Sequence, residues 1–188
     1  MRVVAGTARS IQLVTPEGKD TRPTTDRIKE TLFNMIQGEC PGAVVLDLFA
    51  GSGGLGIEAL SRGAASAVFV DVSQEAAKCV TANLAKTKFT DKATVIKADF
   101  ETAVRRLANN GKSFDLIFLD PPYGKGFETE ALTALGRNSL VRKDALIVIE
   151  ESIDHDEAVF DSIDAGFEFE IEKIKNYKSN RHYFLRVQ

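Results

Sequence analysis

Asp120-Pro121-Pro122-Tyr123 closes the apolar run from Phe114 to Leu119. Two prolines fix φ and offer carbonyls without amide protons. The residue before each is pushed towards extended conformations, so a helix cannot start at once. The result is a stiff corner, rich in hydrogen-bond acceptors, with an aromatic face beside it. Such a corner can accept hydrogen bonds from a planar amino group and stack on its ring, although a proline turn with a solvent-facing Asp has the same four residues. A second constellation stands at Asp47-Leu48-Phe49-Ala50-Gly51-Ser52-Gly53-Gly54-Leu55-Gly56. Glycines at a strand-to-helix junction permit a tight turn and let backbone amides approach a ligand at the helix N-terminus. Gly51, Gly53 and Gly56 satisfy G-x-G-x-x-G, which raises a dinucleotide ligand. Asp47 opposes that reading, because a carboxylate beside the loop would repel a pyrophosphate but suits the ammonium of an amino-acid ligand. Asp71 ends the next strand, where a carboxylate takes ribose hydroxyls. Asp99 and Phe100 follow the third strand. Asp99 can accept from an adenine amine or cap the helix after it, and Phe100 can line the ring.

These groups need elements to carry them. From residue 43, apolar strands alternate with amphipathic helices: strands at 43–48, 67–71, 93–97, 114–119 and 145–150, and helices at 54–62, 74–85, 101–109, 128–136 and 157–163. That alternation predicts a buried parallel sheet in a doubly wound α/β fold. Two alternating patterns at 167–174 and 182–187, joined by a polar turn at 175–180, predict an antiparallel hairpin at the sheet edge. Ligands in such sheets bind at the carboxyl ends of the strands near the switch in strand order, so the first and fourth strands should be neighbours. Ahead of the sheet, 2–6 and 11–14 read as a short hairpin and 25–37 as a helix ended by Gly38 and Pro41. The chain divides into an N-terminal hairpin-and-helix extension, 1–38, and one compact unit, 39–188.

At 188 residues, with 44% hydrophobic and 27% charged, the chain reads as an ordinary soluble domain. Cys40 and Cys79 stand apart from any Cys/His cluster, so no metal site is expected. With no signal segment and no long apolar run, the expectation is a cytoplasmic protein with no membrane partner. The net charge of −3 hides an uneven distribution: residues 1–37 carry +2, 38–172 carry −10 and 173–188 carry +5. Basic termini brought to one side would make a phosphate-binding face despite the acidic total. Arg22, Arg27, Lys29, Lys175, Lys178 and Arg181 are the candidate phosphate contacts. His155 and His182 show no partner pattern and read as structural.

Taken together the set resembles a class I S-adenosylmethionine-dependent methyltransferase. Asp120 to Tyr123 resembles the [DNS]-P-P-[YF] signature of enzymes that methylate exocyclic amines on bases or amides. Arg2-Val-Val-Ala-Gly6 and the block from Arg22 to Asn34 are similar to the RsmD-type guanine-N2 methyltransferases of bacterial small-subunit ribosomal RNA. The resemblance implies a Rossmann-like sheet of seven strands and S-adenosyl-L-methionine as cofactor. It further implies Asp47, Phe49, Gly51, Gly53, Gly56, Asp71, Asp99 and Phe100 as its binding residues, and Asp120, Pro121 and Tyr123 as the reaction centre. The partner would be ribosomal RNA or the small-subunit particle, with no obligate protein partner. Two departures stand out: Asp71 is followed by Val72-Ser73 where a Glu followed by charged residues is expected, and the turn at 177–181 is looser than the family's aromatic-glycine turn. Two other activities fit parts of the pattern, methylation of a DNA adenine or protein glutamine amide, and a nicotinamide-dependent oxidation resting on the glycines and Asp71.

Overall fold

The computed structural model describes residues 1–16 and 26–188. Seven strands form one mixed sheet in the order β3-β2-β1-β4-β5-β7-β6. They are β1 (Val44–Asp47), β2 (Ser66–Asp71), β3 (Ala93–Lys97), β4 (Phe114–Leu119), β5 (Val141–Ser152), β6 (Phe169–Asn176) and β7 (Asn180–Val187). The first five are parallel, and β7 runs antiparallel between β5 and β6. β1 and β4 are neighbours, pairing Asp47 with Phe118, so the order reverses beside the two candidate loops.

The central strands β1, β2 and β4 are buried on both faces, and their successive residues supply opposite cores. Val45, Leu116 and Phe118 pack with α1 (Asp26–Met35), α2 (Gly54–Ser61) and α3 (Gln74–Thr87). Leu46, Ile117 and Leu119 pack on the other face with α4 (Phe100–Asn109) and α5 (Phe127–Arg137). Period-two alternation thus sends each strand's apolar residues to both helical layers. The helices start where their caps place them. Ser73 accepts from the amides of Glu75 and Ala76 at α3, and Asp99 accepts from that of Thr102 at α4.

Three predicted elements change form. The N-terminal hairpin is reduced to one antiparallel bridge, Arg2 with Gln12, because Gly6 to Ser10 turn away to dock on α2, where Thr7 N–H donates to Ser61 O at 2.8 Å. The predicted helix at 157–163 is a 3-10 segment, Glu157–Ser162. β5 begins four residues earlier than its apolar run, since Val141 pairs with Phe114 across a register irregularity. Extension residues Val3, Leu13, Leu32 and Phe33 belong to the same core as Val45 and Ile57.

Candidate functional site

A cleft of about 850 Å³ opens at the carboxyl ends of the parallel strands, lined among others by Asp47, Phe49, Gly51, Asp71, Asp99, Phe100, Asp120, Pro121 and Tyr123. The two loops found in the sequence therefore face one space. On the β1 side, Asp47 is 2% exposed and accepts from Gly56 N–H at 3.0 Å. Burial first, opposed by that amide and reinforced by the charge of Asp71, pushes its carboxyl from 3.8 up to about 7. Asp71 accepts from Gly51 N–H through one oxygen and from Ser73 N–H through the other, each at 2.8 Å. It braces the glycine loop as well as facing the cleft. Gly53 caps α2 at φ 77, a left-handed conformation that favours glycine. Gly56 lies against the Phe69 ring, where a Cβ would overlap the ring edge.

Three phenylalanines form one apolar wall. Phe49 and Phe100 have ring centroids 5.7 Å apart, and Phe127 lies 6.4 Å from Phe49 and 5.9 Å from Phe100. Phe127, at the start of α5, has no signature of its own in the sequence and joins the others only through the fold. Asp99 caps α4, and the Thr102 amide holds its carboxyl below the usual range while its residue lines the cleft.

The β4 side is made of side chains rather than amides. Asp120 lies one position beyond the Leu119–Ile149 pair of β4 and β5. Burial, then the negative charges of Glu150, Asp47 and Glu151, hold its carboxyl well above the ordinary range. Tyr123 donates its hydroxyl to Glu150 Oε1 at 2.8 Å. Asn180 donates to the same oxygen at 2.7 Å, and His182 Nε2 lies 2.8 Å from Oε2. Burial alone would raise the carboxyl of Glu150, but the bonds from His182, Tyr123 and Asn180 outweigh it and the net shift is downward. His182 is thus a partner of the site. His155 is also engaged, with Nδ1 3.1 Å from Tyr183 Oη and Nε2 3.3 Å from Glu128 Oε1. Spacing could not reveal these contacts, because the partners lie on different strands and helices.

The phosphate candidates divide. Lys29 is 0% exposed, and its ammonium donates to Arg2 O at 2.6 Å and lies 3.4 Å from Glu58. Burial lowers its pKa, with Glu58 opposing. The same carboxylate receives the amides of Val4 and Ala5, so Lys29 docks the N-terminal segment and leaves the phosphate set. Arg181 also turns inward, donating to Ile153 O and to Tyr183 Oη. Arg27 and Lys178 are exposed and Lys175 is half-buried, while Arg22 lies outside the described residues. The β6–β7 turn sits at the carboxyl rim, since Ser152 at the end of β5 pairs with Asn180.

Asn83 on α3 was missed in the sequence. Fully buried, it grips both backbone groups of Val14, at 2.7 and 2.8 Å, and donates to Ser52 O at 2.9 Å. One amide ties the extension to the glycine loop. Among the described residues no His/Cys/Asp/Glu group could hold a metal ion, and no helix is long and apolar enough to cross a membrane. Both cysteines are free and buried.

This sheet order, with a carboxylate-laced glycine loop opposite Asp-Pro-Pro-Tyr, defines a class I S-adenosylmethionine-dependent methyltransferase. The family profile described as Conserved hypothetical protein 95 matches residues 1–184. Across 100% of its length the chain is 33% identical to ribosomal RNA small subunit methyltransferase D of Escherichia coli K12, covering 91% of that protein. It is 43% identical over 150 residues to YlbH of Bacillus subtilis, a candidate rRNA methyltransferase, spanning 80% of this chain and 82% of that one. The solved structure of yhhF from Escherichia coli superposes with a TM-score of 0.84 at 30% identity, covering 100% of this chain and 98% of that one. The chain belongs to this family, the one that includes small-subunit methyltransferase D. The nicotinamide reading falls with it.

Proposed function

We propose that this protein methylates the exocyclic two-amino group of a guanine in small-subunit ribosomal RNA, using S-adenosylmethionine. The observation that carries this is Asp120, set across one cleft from the glycine loop beside a Tyr123 whose hydroxyl is fixed. The residues present fit the cofactor. Asp47 and Asp71 give the cleft acidic groups for an ammonium and for ribose hydroxyls, and Phe49, Phe100 and Phe127 give an apolar wall for adenine, with Asp99 at its edge. Gly51, Gly53 and Gly56 let the backbone come close. When bound, S-adenosylmethionine supplies a methyl group on a sulfonium, which departs as a neutral thioether.

The guanine amine is a poor nucleophile, because its lone pair is delocalised into the ring. Asp120 and the Pro121 carbonyl would accept its two N–H bonds and turn the lone pair towards the methyl group, while Tyr123 stacks on the extruded base. Positioning supplies much of the acceleration. As the new N–C bond forms, the nitrogen gains positive charge and one proton passes to the Asp120 carboxylate. The crowding of Asp120 by Glu150, Asp47 and Glu151 suits it to that task. Arg27, Lys175 and Lys178 are the remaining described candidates for phosphate contacts, with Arg22 beside them in the sequence.

The test is transfer of labelled methyl to small-subunit RNA, naked and in particles, followed by nucleoside mass analysis. N2-methylguanosine as the product supports the reading. Label only in N6-methyladenosine, or only in protein, overturns the choice of base.

A further inference from the structure

Behind Tyr123 a buried chain of polar groups leads out to the C-terminal hairpin. Glu150 at the end of β5 accepts from Tyr123 and Asn180 through one oxygen and faces His182 Nε2 through the other. His182 Nδ1 lies 3.3 Å from the Tyr177 hydroxyl in the hairpin turn. Glu150 is opposite His182 in the β5–β7 register, and His182 is opposite Lys175 in the β6–β7 register. Asp120, one position beyond the Leu119–Ile149 pair, extends this row on the other side. A carboxylate at Oε2 requires the proton on Nε2, which leaves Nδ1 to accept from Tyr177.

We propose that Glu150, clamped by His182 and Asn180, is a positioning residue for methyl transfer: it fixes Tyr123 at the base site and holds a permanent negative charge beside Asp120. This rests on the reading of Asp120 to Tyr123 as the base-holding corner. The groups facing Asp120 are the carboxylates of Glu150, Asp47 and Glu151, all of which resist its ionisation. Among the groups bonded to Glu150 are Tyr123, Asn180 and His182, all of which favour its charge, with Tyr177 and Lys175 next along the row. Two neighbouring carboxyls are thereby driven apart, one to stay charged and one to bind a proton, the pattern that separates fixed charge from proton acceptor. The His182 tautomer can reverse, so a glutamine at position 150 keeps the bonds to Tyr123, Asn180 and His182 and loses the charge.

The experiment compares Glu150→Gln, Glu150→Ala, His182→Gln and His182→Ala in the full chain. Steady-state kinetics are run against pH with small-subunit particles, beside melting curves and ¹⁹F spectra of fluorotyrosine-labelled protein without RNA. The chain holds three tyrosines, so their signals are assignable by substitution. For Glu150→Gln we expect kcat lower by about tenfold, with its acid limb moved about one pH unit lower. Glu150→Ala should lose roughly a hundredfold in kcat and shift the Tyr123 signal, with KM for S-adenosylmethionine within about threefold. His182→Gln, which keeps a donor, should restore most of what His182→Ala loses. An unmoved acid limb in Glu150→Gln, with losses that merely follow melting temperature, overturns the proposal. So does an unchanged Tyr123 signal in Glu150→Ala. That signal needs no substrate, so a shifted Tyr123 in a protein that does not methylate guanine removes the choice of base and leaves Glu150 as Tyr123's anchor.

Discussion

At the ends of β1 and β2 the cleft wall consists of backbone amides tied to nearby carboxylates, Gly56 to Asp47 and Gly51 to Asp71. At the ends of β4, β5 and β7 it consists of side chains, Asp120 and Tyr123 backed by Glu150, Asn180 and His182. The first half closes over separations of 9 and 20 residues, the second over 27 to 32. An amide-built wall binds by shape and fixed dipoles and is damaged by added bulk. A carboxylate-built wall holds unfavourable charge in place and is damaged by loss of the groups that hold it. Binding and chemistry should therefore separate under mutation along this line.

The largest expected effect is on the β4 side. Asp120→Ala should reduce methyl transfer by about a thousandfold or more, with S-adenosylmethionine affinity by calorimetry within a few-fold. Equal loss of both would erase the division. Asp47→Asn should do the reverse, weakening S-adenosylmethionine roughly tenfold or more through loss of a charged partner. It should also stabilise the unliganded protein at pH 8. The unfolded carboxyl releases its proton near 3.8 and the folded one near 7, so stability falls as pH rises through that window. Removing the charge removes that fall, an increment of about 4 kcal/mol measurable by denaturant titration at pH 8 against pH 4. Gly56→Ala should cost about 1–3 kcal/mol by pressing a methyl into the Phe69 ring, seen as a lower melting temperature. The smallest effect belongs to the rim. Lys178→Ala should lower the salt slope of RNA binding by roughly 0.7–0.9, the contribution of one phosphate contact, while leaving melting unchanged. Lys29→Met should instead leave that slope alone, because its ammonium never reaches solvent.

Much of the frame was legible. β4 runs from Phe114 to Leu119 as its apolar run predicts, and the β1–β4 adjacency follows from the topology such alternation imposes. Misreadings fell where local pattern is weakest. The Glu157–Ser162 segment has the apolar spacing of a helix and an Asp156 cap, but at six residues it is too short to offset the cost of nucleating an α-helix. Lys29 reads as a surface charge because it sits in a basic N-terminal stretch, and only the docking of Arg2 to Ala5 on Glu58 encloses it. Arg181 turned inward for a similar reason, since β7 places it beside the chain that follows β5.

The sequence by itself determined the parallel sheet, the two loops at its carboxyl edge and the acid-rich chemistry between them, because strand alternation and turn residues act over a few positions. Tertiary structure alone decided what surrounds those loops: the Phe127 wall, the Asn83 tie, and the Glu150–His182 clamp behind Tyr123. Those contacts join residues on different strands and helices, and no spacing rule links positions whose separation is set by how the sheet is wound. The burial that moves Asp47 and Asp120 away from ordinary carboxyl behaviour is likewise a property of the closed cleft and of no residue alone.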